Sequence, residues 1–237
     1  MLLFLTSTHR AVRYFLLFVA FSILSGCAIS SMPFQERVDR TDGFDQDALE
    51  AGGLAVLPVL ADSAATEYRS SMLEGFHQEM SRLAPEVATI PSDSVRLFLQ
   101  TDGRAQTYRD AFRVYRRTGI LDEDLFVAVA NDVAGKGQPV RYLLIPYLIR
   151  PLEYFSSGVE QHSDPSTRLT IEGFGIVWDA RTKTVVWDAK FGAGSQTNFL
   201  EIHGDSFEEI SRKTGTALAR SLLGQWTVMP PPARPTR

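Results

Sequence analysis

The chain of 237 residues contains a single cysteine, Cys27. No intramolecular disulfide can form, and no zinc site built from several thiolates is available. Histidine is scarce: His9, His77, His162 and His203 are all there is, and His77 has no second histidine at metal-site spacing. No G-x-S-x-G elbow, no G-x-x-x-x-G-K-[ST] loop and no H-E-x-x-H pair occurs, so nucleophilic, phosphate-cradling and zinc-hydrolytic chemistry lack their parts. The pattern offers no catalytic residue, no metal ligand set and no cofactor. Positive charge is not in excess either: 24 Lys+Arg against 28 Asp+Glu give −4, the wrong sign for a protein that coats nucleic acid. Nor is there an apolar run near the roughly 20 residues that a bilayer-spanning helix needs.

What is present is an address. Residues 1–26 hold Arg10 and Arg13 and no acid, followed by the apolar run Tyr14 to Leu24. A charged segment, a short apolar run and then small residues form the layout of a secretory signal peptide. The small residues are Leu24-Ser25-Gly26-Cys27, directly after the run. This stretch resembles a bacterial lipobox. The resemblance implies cleavage between Gly26 and Cys27, a diacylglyceryl thioether on Cys27 and acylation of the new amino terminus, which would anchor the protein in a lipid bilayer. It also implies the periplasmic face of the outer membrane, because Ala28, not Asp, follows the cysteine.

Residues 27–52 read as the lipidated cysteine and a flexible acidic tether. Six acids (Glu36, Asp39, Asp42, Asp45, Asp47, Glu50) outnumber Arg37 and Arg40, and no sustained 3.6 or 2.0 period appears. A 25-residue coil would reach about 25–30 Å. The folded domain is expected over 53–224. Residues 225–237 form a proline-rich tail that cannot extend a helix.

Within the domain, Leu54-Ala55-Val56-Leu57-Pro58-Val59-Leu60 is expected as a strand buried on both faces, with Pro58 at a bulge, end or edge. Asp62 or Ser63 starts a helix to about Leu83, with Tyr68, Met72, Leu73, Phe76, Met80 and Leu83 on one face. A short strand near Val87–Ile90, a short helix from Ser92 or Asp93, and a helix holding Tyr108, Phe112 and Tyr115 and closed by Gly119 follow. Asp122 caps the next helix, which ends at Gly135. Val140 to Ile149 is a second strand of the buried type, and 152–166 a long loop. Arg168–Asp179 and Thr184–Phe191 make a hairpin through Ala180-Arg181-Thr182-Lys183. Ser206 and Glu209 form a capping box for a last helix closed by Gly224. The fold class is therefore α/β: one mixed sheet with helices packed on it, in a single domain.

The element order resembles a group of bacterial envelope proteins: the curli-secretion lipoprotein, the lipoprotein activators of penicillin-binding proteins, and the amino-terminal domain of the Tol-Pal translocation protein. Two stretches carry it, Ala55–Val59 and Val177–Trp187. The group implies a noncatalytic docking or scaffold module, with an envelope protein as partner. The alternatives are a periplasmic enzyme or small-ligand binder with a dispersed site near 152–166, and a structural homo-oligomer. If Lys183 is left-handed at a bulge, Val177 faces Trp187 and Trp178 faces Val186. Phe174, Ile176, Trp178 and Val186 then share one apolar face, either covered by helices or exposed as a partner-binding patch.

Overall fold

The computed structural model describes residues 32–101, 103–135, 140–156, 166–198 and 205–225. Six helices and eight strands follow one another in it. First come β1 (Met32–Arg40), α1 (Gln46–Gly52), β2 (Leu54–Val56) and β3 (Leu60–Ala61). A 3-10 turn, Ser63–Tyr68, leads into α2 (Arg69–Leu83), then β4 (Thr89–Ile90), α3 (Ser92–Thr101), α4 (Ala105–Thr118) and α5 (Glu123–Ala134). The chain ends on β5 (Tyr142–Leu148), β6 (Leu152–Ser156), β7 (Ser166–Asp179), β8 (Thr184–Asn198) and α6 (Phe207–Leu222). The strands form one sheet in the order β1-β8-β7-β5-β2-β4, with β3 beside β5 and β6 beside β7. The β2, β3, β4 and β5 pairings are parallel, and the rest antiparallel. The expected mixed sheet with helical cover is thus the fold.

Its central strands have no polar side, and each face is buried under three helices. Leu54, Val56, Tyr142, Leu144, Val177, Trp187 and Phe191 pack with Leu49 of α1, Met72, Phe76 and Met80 of α2, and Ile210, Leu218 and Leu222 of α6. Ala55, Leu57, Leu143, Ile145, Ile176 and Trp178 pack with side chains of α3, α4 and α5, among them Val95, Leu99, Phe112, Phe126 and Val129. Each fully buried Leu- or Phe-sized side chain contributes about 1.5–3 kcal/mol. Pro58 falls between β2 and β3, where no ladder donor is needed, and its carbonyl accepts from the Tyr108 hydroxyl at 3.0 Å. Caps read from the sequence are in place: Asp122 accepts from Leu125 N–H, Ser206 from Glu209 N–H, and Gly119 is left-handed at φ 72°.

The helices α2 and α6 touch backbone to backbone. A Cβ on Gly75 would lie 1.9 Å from the Arg212 carbonyl oxygen, and one on Gly215 would lie 1.9 Å from that of Met72. One turn away, Ser71 and Ser211 are also buried, and Ser211 donates to the Tyr68 carbonyl at 2.8 Å. Small residues at i, i+4 on both helices allow an approach that any side chain would prevent. Glu79 closes the seam by accepting from Arg220 at 2.6 Å and from Arg82 at 2.7 Å. The pair Gly173 and Gly175 works similarly in β7. A Cβ on Gly173 would come within 2.6 Å of the Phe191 ring, so these glycines make room for rings.

Three expectations are corrected. The supposed tether is part of the domain over 32–52. Met32 to Arg40 pair with Gly194 to Trp187, and Phe34, Phe44 and Leu49 are buried. Arg40 donates to the Ser221 and Leu222 carbonyls at 2.9 and 2.7 Å, capping the end of α6, and Asp45 caps α1. A register shift between Gln35 and Arg37 puts Phe34 opposite Gly192 but Val38 opposite Ala189. The two apolar side chains therefore face opposite sides although four residues apart, which erases the period of two. Second, part of the loop at 152–166 is β6, and β7 and β8 run further than expected. Third, Val177 does face Trp187 and Lys183 is left-handed at φ 57°, but Trp178 pairs with Val185, not Val186. Val186 is the extra residue of the bulge and turns to the α6 side with Trp187. Residues 1–26, where a signal peptide is expected, Cys27 and the tail beyond Gln225 lie outside the described residues.

Gly215→Ala is expected to lower unfolding free energy by about 3 kcal/mol in urea titration, since the helices must separate to admit the methyl group. An unchanged midpoint would contradict the close crossing.

Candidate functional site

The hairpin face offered as a partner-binding patch is not a surface. Ile176 and Trp178 are fully buried, Val186 is buried on the other side, and only Phe174 is partly open. The Trp178 ring lies 5.9 Å from that of Phe126 on α5. Helical cover, not docking, accounts for these aromatics.

The remaining candidates are polar clusters. The first stands at the carboxyl ends of β3 and β5, the edge where open α/β sheets commonly place ligands. The Tyr147 hydroxyl donates to Asp62 and accepts from Arg116 in two short hydrogen bonds. Arg116 also lies over the Tyr147 ring, 4.4 Å from its centre, and 3.8 Å from Asp62. The Arg150 N–H adds a contact to Asp62 at 3.3 Å. Burial first, and then the hydrogen bond to Asp62, push the Tyr147 hydroxyl up to about 12. Asp62, expected as a helix cap, is spent here: it makes no side-chain cap to the turn it precedes.

The second cluster ties the start of β5 to the hairpin turn. Arg141 grips the buried Asp179 through Nε at 2.9 Å and Nη2 at 2.5 Å, and Arg181 N–H donates to it at 2.8 Å. Burial alone would raise the Asp179 carboxyl; the Arg141 and backbone donors outweigh it and hold it below its usual range. The third joins three strands: Lys190 of β8 reaches Glu36 of β1 at 2.6 Å and Glu172 of β7 at 2.9 Å. In all three the charges serve one another and the fold. None includes a Ser, Cys or His poised beside a base.

His77 is half-buried on α2, and burial lowers its pKa. Among the described residues no three His, Cys, Asp or Glu side chains gather as metal ligands. His9, His162 and His203, and the expected processing residues Gly26 and Cys27, lie outside the described residues. Among the described residues, six large hydrophobic side chains are exposed: Met32, Leu97, Val114, Ile120, Tyr154 and Phe155. Two of them stand on β6, which the polar flanks of its sequence concealed; the alternation in Leu152-Glu153-Tyr154 was the one local sign of a strand there.

No family model matches the chain, and no curated protein matches it in sequence. Among solved structures it is similar to the PelC dodecamer from Paraburkholderia phytofirmans, at 12% identity over 81% of this chain and 96% of that one, with a TM-score of 0.37. It is similar to lipoprotein GNA1162 from Neisseria meningitidis, at 12% identity over 65% and 88%, with a TM-score of 0.36. The LpoB C-terminal domain from Salmonella enterica is matched at 11% identity over 64% and 96%, with a TM-score of 0.33. At these scores the likeness carries no argument, and the reading of function rests on this chain's own residues.

Tyr147→Phe leaves Asp62 and Arg116 without their shared hydroxyl and is expected to cost about 1–3 kcal/mol at neutral pH. Because folding raises the Tyr147 pKa from 10 to about 12, its contribution is complete below the lower value and lost as pH rises through the upper one. Denaturation of the wild type should therefore steepen across that alkaline window more than that of Tyr147→Phe. Parallel curves would contradict the role given to the hydroxyl.

Proposed function

We propose that this chain is a membrane-anchored bacterial lipoprotein whose α/β domain acts as a noncatalytic docking or scaffold module in an envelope complex. The observation that carries the reading is the run Leu24-Ser25-Gly26-Cys27, placed directly after the apolar segment and holding the one thiol of the chain. Cleavage between Gly26 and Cys27 and acylation of Cys27 attach two or three acyl chains. At about 0.8 kcal/mol per buried methylene these hold the protein in the bilayer. Ala28 favours the outer membrane, periplasmic face. The noncatalytic part of the reading is supported by the clusters above, in which each charged group is bonded to another and none is paired with a nucleophile.

The full chain, produced in a bacterium supplied with radiolabelled palmitate, tests the anchor. Wild type is expected to take up label and to yield an acylated peptide beginning at Cys27, whereas Cys27→Ser takes up none and retains residues 1–26. An unlabelled wild type, or one cut elsewhere, would contradict it. Crosslinking in the intact envelope tests the scaffold: a stoichiometric protein partner is expected with wild type and lost with Cys27→Ser. Recovery of the protein alone in both forms would overturn the docking role.

A further inference from the structure

The correction at 32–52 changes how far the domain can stand from its anchor. β1 begins at Met32, five peptide steps after Cys27. Whatever path those steps take, they span at most about 18 Å. A 25-residue coil would have let the domain roam; five steps hold one end of the sheet against whatever Cys27 is fixed to.

Topology says which end. Met32 pairs with Gly194, and because β1 and β8 are antiparallel, the amino-terminal end of β1 lies on the side of the sheet toward which β8 runs on. On that side β8 continues past Gly194 to Asn198, an overhang of about 13 Å at strand rise. β7 from Ser166 and β6 to Ser156 run alongside it, Tyr154 opposite Arg168 and Phe155 opposite Thr167. A three-stranded arm thus extends beyond the body of the sheet at the end where β1 begins, by less than the full length of the leash.

The arm is apolar where a lone arm in water should not be. Phe155 is 71% exposed, Met32 56% and Tyr154 49%; among the described residues these are half of the six large exposed hydrophobic side chains and both of the aromatic ones. Tyr154 and Phe155 are consecutive in an edge strand, so their rings leave opposite faces of it. Met32 lies in the column Met32–Gly194–Thr170–Leu152 and shares its face with Tyr154. The described part of the overhang carries Glu153 and Arg168, one charge of each sign. Aromatic side chains with an apolar body are favoured at the headgroup level of a bilayer.

We infer that the β6–β7–β8 arm is a membrane-contact surface: Met32, Tyr154 and Phe155 seat in the interfacial layer of the same leaflet that holds the acyl chains of Cys27. The inference rests on the lipoprotein reading and deepens it. The lipid holds the domain at one point, and the arm sets its orientation at a second. The sheet then stands with the carboxyl ends of β2, β3 and β5 toward the membrane and the hairpin turn 180–183 away from it.

The full lipidated chain, reconstituted in vesicles of three parts phosphatidylethanolamine to one part phosphatidylglycerol, tests this. p-Benzoylphenylalanine is placed at position 155, and in a second protein at position 182. Residue 182 is exposed in the distal turn, about 40 Å along the hairpin from the arm. After flotation and irradiation, a phospholipid-mass adduct at 155 and none at 182 is the expected result. Adducts of equal yield at both positions would overturn the orientation. A covalent dimer from 155 would show that a second copy covers the arm, and would overturn the proposal. Flotation with no adduct at 155 would overturn the arm contact alone and leave the anchor standing. Failure of the wild type to float would overturn the anchor and this inference together.

Discussion

Burial of the central strands on both faces is the constraint from which the remaining structure follows. Leu54, Ala55, Val56 and Leu57 alternate between the two sides of the sheet, and neither side can be left to water. Two helical layers are therefore obligatory. One is supplied by three consecutive helices, α3 to α5. The other must be assembled from distant pieces: α1 and α2 from the first half of the chain and α6 from its end. The Gly75–Gly215 crossing and the Glu79–Arg220 contact make that second layer one body. Arg40 then ties β1 to the last turn of α6. The acidic stretch after the cysteine thus becomes structural through one guanidinium and three apolar side chains, Phe34, Phe44 and Leu49.

This arrangement shapes the functional reading. A scaffold needs a rigid body, a fixed attachment and surfaces free of its own chemistry. The polar clusters supply rigidity: Asp62–Tyr147–Arg116 locks the end of α4 to β5, and Arg141–Asp179 locks the hairpin turn to the same strand. If Cys27 is the attachment point proposed above, attachment is short, because β1 starts so soon after it. A domain on so short a leash would search only a small volume, and its recognition would be confined to components within a domain's breadth of the same membrane.

Much of the fold was legible in the sequence, and the exceptions have a common cause. Long, regularly periodic segments declared themselves: the helical face of α2, the caps at Asp122, Ser206 and Gly119, and the left-handed Lys183. What was hidden lay at bulges and edges. In β1 the bulge near Glu36 reverses the side-chain alternation halfway along the strand, and its acids face solvent on an edge, so charge concealed the strand. In the hairpin the bulged Val186 shifted one pairing and exchanged the faces of Val185 and Val186. β6 was too short and too polar at its flanks to stand apart from a loop. The candidate site fared less well. Trp178 was visible as an aromatic on a strand, but whether helices cover it is a property of the whole sheet. Asp62, Arg116 and Tyr147 are far apart in sequence, and only the meeting of β3, α4 and β5 brings them together.

The claim on which the account turns is that residues 32–52 belong to the folded domain. Hydrogen exchange on the full chain measures this directly. The account predicts that the backbone amides of the 32–40 segment that face β8 are protected from exchange, and that the Gly53 amide, bonded to the Leu49 carbonyl at 2.8 Å, is protected with them. Exchange of 32–52 at the rate of an unstructured chain, while β5 stays protected, would restore the long tether and remove the basis for a short leash.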